Sequence, residues 1–346
     1  MRISRENLPV LLYYAPIFPG FVFLCLKHGG PRAVFTSNPG IPFGGAFSSS
    51  KSTFSERAGN AFRHPKSCLI RGAECDQTSV DNFFSKARAL DSRASTDYSW
   101  PRFLLKPDAG ERGRNVSVYF SEAAARAAIL RVKEETLLQE YVAGVDYSVF
   151  FFRNVDTRNT RILAITERSL PSGIGNGIDS VEQIIIKRNF RPDISRMLLK
   201  INLERLAWRP NPGQKIQLSF VANHSQGAVF KTFISEGIME LITGAIAKLA
   251  DAVGGVYYGR FDFKANSLDN LMSAKDVYLL EFNGAYAEPL EIYDSNCSLF
   301  RMYCVLHRRL DLLMSIGAEL QRQGHEPPRW KDIASALHHQ IKMRLT

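Results

Sequence analysis

Two short stretches decide how this chain is read: Tyr258-Gly-Arg-Phe-Asp-Phe263 and Tyr278-Leu-Leu-Glu-Phe-Asn283. Each sets polar side chains two residues apart among apolar ones, the period-two pattern of a strand with one buried face. Arg260 and Asp262 therefore share a face, and so do Glu281 and Asn283. Paired side by side, the two strands gather two carboxylates, an amide and a guanidinium on one surface. Such hard oxygen donors suit Mg2+ held partly by protein and partly by phosphate. Softer metals call for Cys or His, which both stretches lack. The competing reading is a solvated outer face of a two-sided sheet, and these two stretches alone do not decide between them.

Upstream, Leu104-Leu-Lys-Pro-Asp-Ala-Gly-Glu-Arg-Gly-Arg-Asn-Val116 sets a strand-borne lysine, Lys106, before a turn bearing Gly110 and Gly113. An ammonium and several backbone N–H groups can surround a polyphosphate this way. The spacing is not that of a P-loop, and an ordinary hairpin turn would read the same. A third stretch, Leu137-Leu-Gln-Glu-Tyr-Val-Ala-Gly-Val-Asp146, is an apolar strand ending in an acid and a glycine turn. It can offer Glu140 and Val142 to an adenine edge and Asp146 to ribose hydroxyls, or be a plain strand end.

Around these stretches the pattern alternates strands and helices. Strands are expected at 103–106, 115–120, 136–141, 147–153, 161–167, 216–222, 256–264 and 277–283. Helices are expected around 52–62 and 80–90, over 122–135 behind a Ser121 cap, and over 236–253, 299–321 and 329–343. Residues 1–45 read as a short strand–helix–strand piece, with strands at 10–14 and 33–36 and a turn at 16–20. The turn residues Asn38-Pro-Gly-Ile-Pro-Phe-Gly-Gly45 mark its end. No internal repeat is visible. The whole is an α+β pattern on mostly antiparallel sheets.

Composition agrees with a folded chain: 45 % of the 346 residues are apolar and 23 % charged. The formal charge is +10 and the pI near 9.4, a balance that favours anionic partners. The basic residues are scattered, however, and no nucleic-acid-binding signature occurs, so nucleic acid is not expected as a partner. Five cysteines without a Cys-x-x-Cys pair exclude a disulfide framework and a structural zinc site, and fit a reducing cytoplasm. The sequons at Asn115, Asn223 and Asn296 then read as chance matches. The apolar run Leu8–Leu26 is about long enough to span a bilayer, but three prolines and a glycine interrupt it. A buried strand, a turn and an apolar helix are favoured over a transmembrane helix, and peripheral membrane contact is a further alternative.

Taken in order, Lys106 with its glycine loop, QEYVAGVD at 139–146, ERSLPSGIGNG at 167–177, NHSQG at 223–227, GRFDF and LLEFNG resemble the ATP-grasp superfamily, above all its carboxylate–amine ligases. The resemblance covers residues 48–295. It implies two α+β subdomains gripping ATP, at 46–143 and 144–315, with a truncated N-terminal α/β piece at 1–45 and a helical tail at 316–346. It implies Lys106 and Lys51 on the phosphates beneath the loop of Gly110 and Gly113, Glu140 and Val142 at adenine, and Asp146 at ribose. Asp262, Glu281 and Asn283 would hold Mg2+. Arg260 and Arg168 would lie near the transferred phosphate, with Asn223 beside the acyl-phosphate site. The implied activity is an ATP-dependent C–N ligase joining a small carboxylate to an amine through an acyl phosphate. Glu288 and Asp294 are then either contacts to the amine or exposed loop acids. Asn115 stands where such loops have glycine, and Gly175-Asn176-Gly177 lacks an expected acid. These departures motivate the alternative of a nucleotide-binding module without turnover.

Overall fold

The computed structural model describes residues 14–47, 50–71, 76–88, 98, 100–109, 115–220 and 227–345. Its frame is two antiparallel sheets. The smaller holds β1 (Ser67–Arg71), β2 (Phe103–Pro107), β3 (Ser117–Tyr119) and β4 (Glu135–Glu140) in the order β1-β4-β2-β3. The larger holds β5 (Val145–Arg153), β6 (Thr160–Ser169), β9 (Val229–Phe233), β10 (Tyr258–Ala265) and β11 (Tyr278–Asn283) in the order β11-β10-β5-β6-β9. The short pair β7 (Ser172–Ile174) and β8 (Lys215–Gln217) stands apart from both.

The two faces of the large sheet differ sharply. Phe261 and Phe263 of β10, Val149 and Phe151 of β5 and Ile165 of β6 are all fully buried on one side. They pack against Ile242, Ile246, Leu249 and Val253 of the helix Glu236–Val253. Phe151 and Phe261 stack with ring centroids 4.8 Å apart. The intervening residues, being offset by one, lie on the opposite face. There Phe150, Ala164 and Tyr258 pack against Leu313, Ile316 and Leu320 of the helix Leu299–Arg322, and Asp146, Ser148, Arg168, Arg260, Asp262 and Lys264 make up a buried polar remainder.

Eleven α-helices are described: α1 (Phe18–Lys27), α2 (Ala33–Thr36), α3 (Lys51–Ala58), α4 (Gln77–Arg88), α5 (Glu122–Ile129), α6 (Val181–Lys187), α7 (Pro192–Ile201), α8 (Glu236–Val253), α9 (Leu268–Met272), α10 (Leu299–Arg322) and α11 (Trp330–Leu345). Ser50 and Ser121 cap α3 and α5 by accepting from Thr53 N and Ala124 N.

The N-terminal piece departs from expectation. Residues 33–36 are helical rather than a strand, and the expected turn at 16–20 is a 3-10 turn running into α1. Pro19 sits in the first turn of α1, where its missing N–H costs nothing. Of the expected strand at 10–14 only Tyr14 is described, and its backbone is helical (φ −97°, ψ −13°). The described part of this piece thus consists of helices and turns, with no strand among the described residues. The helix expected over 122–135 stops at Ile129, because Glu135 is already paired with Arg71 across β1 and β4. The strand expected at 216–222 is only Lys215–Gln217, and residues 221–222 lie outside the described residues. β1, β7, β9, α6, α7 and α9 are not expected from the sequence; residues 173–177 read there as a glycine loop. Cys25 and Cys304 carry free thiols. Among the described residues no helix is long and apolar enough to cross a membrane.

Candidate active site

The polar face of β10 carries Arg260, Asp262 and Lys264 at successive two-residue steps. β11 pairs Asn283 with Arg260 and Glu281 with Asp262, and the register breaks just after Asp262. On the other flank, β5 sets Ser148 against Asp262 and Asp146 against Lys264, and β6 sets Arg168 against Asp146. Gly259 makes the close approach of β10 to β11 feasible. Its φ is +152°, and a Cβ there would lie 2.4 Å from the Asn283 carbonyl oxygen.

Asp262 is the centre of this face and is 1 % exposed. Its carboxylate accepts from Arg260 Nε at 2.7 Å and Nη2 at 2.9 Å, and from Ser148 Oγ at 2.6 Å. Arg168 Nη1 lies 3.7 Å away. Burial alone would raise the carboxyl's pKa, but Arg260 and Arg168 outweigh it and hold it well below the ordinary range. The Asn283 amide nitrogen lies 3.3 Å from both an Asp262 and a Glu281 oxygen.

Beside this group, Lys264 Nζ donates to Asp146 at 3.1 Å and lies 5.0 Å from the ring centre of Tyr141. Burial lowers the lysine's pKa, and Asp146 and Tyr141 more than restore it. Asp146 also has Arg168 Nη2 at 3.9 Å, so the acid expected at ribose is held between two cations.

The small sheet supplies a further cation. Lys106 Nζ donates to Gln139 Oε1 of the neighbouring strand at 2.9 Å. Enclosure pushes its pKa down to about 8; Glu281 opposes this and the nearby Lys51 reinforces it. The charge of Glu281 on the large sheet thus acts on Lys106 of the small one. Lys51 is brought near it by Asp108: the Asp108 side chain accepts from Ser52 N at 2.9 Å, and its carbonyl accepts from Lys51 N at 3.1 Å and Lys51 Nζ at 3.2 Å.

The remaining predicted residues divide. Glu140 accepts from Lys66 N at 2.9 Å, which ties β4 to the start of β1. Val142 is half-buried in the link from β4 to β5. Gly110, Gly113 and Asn223 lie outside the described residues. Both departures from the family pattern have local structural accounts. Asn115 takes a left-handed φ of +55°, which asparagine tolerates better than most residues. Asn176 caps its turn by accepting from Ile178 N and Asp179 N. Asp294 accepts from Thr232 N and Asn296 N, and Glu288 accepts from the Tyr14 hydroxyl.

Four residues of this site escaped the sequence reading. Lys264 continues the period-two spacing of Arg260 and Asp262 and was within reach of it. Ser148, Gln139 and Asp108 depend on strand register and loop docking, which no local spacing encodes.

Among the described residues no three His, Cys, Asp or Glu side chains cluster as a metal centre. A hard cation nevertheless fits the donor set. Turning the Asn283 amide, whose orientation is an assignment, would put its oxygen where its nitrogen now faces both carboxylates.

No protein-family model matches this sequence, and no curated protein does either. Solved structures do resemble it. D-alanine–D-alanine ligase from Bacillus anthracis complexed with ATP is 9 % identical, over 80 % of this chain and 68 % of that one, with a TM-score of 0.45. VanG D-Ala:D-Ser ligase from Enterococcus faecalis is 13 % identical, over 78 % and 61 %, with a TM-score of 0.41. The ATP-grasp ligase PsnB complexed with a minimal precursor is 15 % identical, over 83 % and 63 %, with a TM-score of 0.41. The chain spans 36 % of a bifunctional glutathione synthetase from Pasteurella multocida.

Proposed function

We propose that this chain is an ATP-grasp ligase that uses ATP and Mg2+ to join a small carboxylate to an amine. The reading rests on one observation: Asp262, Glu281 and Asn283 converge on one sheet face, and the Glu281 charge is felt by Lys106 of the small sheet, as is that of Lys51. Acidic and cationic groups set together in this way suit a metal-bound polyphosphate better than either charge alone.

In this reading Lys106 and Lys51 bind phosphate oxygens, and Arg260 and Arg168 face the phosphoryl group in transfer. Asp262, Glu281 and Asn283 would hold Mg2+, which supplies charge neutralisation on the phosphates. The substrate carboxylate attacks the γ-phosphorus and ADP leaves, giving an acyl phosphate. The amine nitrogen then attacks the acyl carbon, phosphate leaves, and the amine gives up a proton. Catalysis of this kind is positioning and charge stabilisation, and it needs no nucleophilic Ser or Cys. Lys264 and Ser148 would orient Asp146 and Asp262.

One observation favours a second reading, a nucleotide-binding module without turnover: Arg260 and Ser148 already occupy both oxygens of Asp262. The two readings part on ADP release. A ligase releases ADP when a panel of amino acids and dicarboxylates is supplied with amines. Nucleotide binding with no substrate-dependent ADP release would leave the second reading standing.

A further inference from the structure

We infer that the outer face of α1 docks on an anionic phospholipid surface. From Ala15 to Leu26 the exposed positions are Ala15, Pro16, Phe18, Pro19, Val22, Phe23 and Leu26, none of them polar, and exposed Lys27 closes the helix. Phe18 is 66 % exposed, Phe23 60 % and Leu26 82 %. Single exposed apolar residues are normal, but a complete helical face of them is not. On an ordinary surface helix this face would be polar.

The face does not belong to a loose segment. On the inner side Leu24 is buried with Ala33 and Met314, while Ile17 packs beside Met302 and Leu306 of α10. The Tyr14 hydroxyl donates to Glu288, whose backbone carbonyl accepts from Arg260 at 2.9 Å. The apolar face is therefore rigidly mounted, and its mount reaches the candidate active site. The patch continues onto α10 through Phe300, 81 % exposed, across a cleft of about 310 Å³ between the two helices.

Charge selects the occupant. Arg301 and Arg308 are exposed on α10, and Arg308 lines the cleft itself. Asp311, which abuts the patch, is already held by Lys27 at 2.9 Å and His28 at 2.6 Å. Apolar side chains rimmed by cations match the interface of an anionic bilayer. A second copy of a chain carrying +10 would meet like charge instead. A ten-residue helix is about 15 Å long and lies in the interface without crossing it.

The test is co-sedimentation of the full chain with vesicles of phosphatidylcholine, with and without 30 mol % (about one lipid in three) phosphatidylglycerol, against ionic strength. Binding is expected only to the anionic vesicles and should weaken with salt. Phe18→Ser with Leu26→Ser should cut partitioning by about a hundredfold, roughly tenfold for each side chain. Arg301→Glu with Arg308→Glu should cut binding to anionic vesicles while leaving the thermal melt unchanged. The single variant Leu26→Ser serves if the double variant does not fold. Failure of the wild-type chain to bind anionic vesicles overturns the inference, as does binding unchanged in either variant. A concentration-dependent dimer abolished by Leu26→Ser, without vesicle binding, would assign the face to self-association and overturn it equally.

Discussion

Arg260 and Asp262, two residues apart on β10, are joined by parallel hydrogen bonds of 2.7 and 2.9 Å, so the central guanidinium and the central carboxylate hold each other in place. The pair is buried, and Asp262 titrates far below its ordinary value of 3.8 because Arg260 and Arg168 offset the cost of burial. The sign follows from which state holds the proton. The unfolded carboxyl protonates first as the pH falls, so the stabilisation is fully present above about pH 4 and is lost below it. Melting temperature should drop steeply between pH 4 and 2, and Asp262→Asn should flatten that slope. Parallel profiles for the two proteins would contradict the pairing.

The same geometry gives Arg260 two roles that can be separated. Arg260→Ala should slow substrate-dependent ADP release by about 10²–10³-fold, the usual loss for one stabilising contact in the transition state. It also strands a buried carboxylate, so the variant should melt at lower temperature. Arg260→Lys restores the charge but not the paired contact, and should recover stability better than turnover. Unimpaired ADP release in Arg260→Ala, with ATP bound normally, would remove Arg260 from the chemistry.

Lys106 predicts a pH dependence in the opposite range. Enclosure lowers its pKa to about 8, so the empty site loses this ammonium as the pH rises through 8. ATP affinity should then weaken by up to about tenfold per pH unit, because binding must restore the proton. Since the unfolded lysine keeps its proton up to 10.5, this group makes folding more favourable as the pH climbs from about 8 to 10.5. Lys106→Arg should bind ATP with no break near pH 8, as arginine stays charged. Calorimetric titration from pH 6.5 to 9.5 separates the two.

What the sequence revealed follows the range of each interaction. Period two placed Asp262 with Arg260 and Glu281 with Asn283, because two residues on one strand share a face whatever lies beyond it. It also located the apolar spine of α8, where the spacing holds for 18 residues. The same logic fails when partners are distant in the chain. Ser148 meets Asp262 only through the register of β5 on β10, and Asp108 meets Lys51 only because α3 docks on the end of β2. The segment Ala33–Thr36 shows the limit most clearly. Its Ala-Val-Phe-Thr suits a strand by propensity, yet packing against α10 makes it a helical turn. There Ala33 fits so closely that a Cβ on Gly317 would lie 1.8 Å from the Ala33 carbonyl oxygen.

Glu281→Gln should leave two marks. As a proposed metal ligand, its loss should weaken Mg2+ binding by roughly tenfold or more, read as a higher Mg2+ requirement for ATP binding. As the group that holds the Lys106 pKa up, its loss should also move the Lys106 titration further below 8. The second effect does not involve metal and should persist in a chelator. A normal Mg2+ requirement would exclude Glu281 as a ligand, and an unmoved Lys106 titration would separate the two sheets electrostatically.

Gly259 makes the site's dependence on backbone testable without touching a functional group. Its φ of +152° is costly for any side chain, and an added Cβ would lie 2.4 Å from the Asn283 carbonyl and 2.7 Å from the Phe282 ring. Both obstacles belong to β11, so relief requires β11 to move away from β10, carrying Glu281 and Asn283 from Asp262. Gly259→Ala should therefore cost about 2–4 kcal/mol in urea unfolding. The fraction that folds should bind ATP with a raised Mg2+ requirement. Gly237→Ala provides the control, since that residue lies in the first turn of α8 with open space around its Cβ. It should be neutral or slightly stabilising, because alanine favours the helix over glycine. If the two substitutions prove equally mild, β10 and β11 are not packed as closely at Gly259 as the register implies, and the convergence of Asp262, Glu281 and Asn283 fails with it.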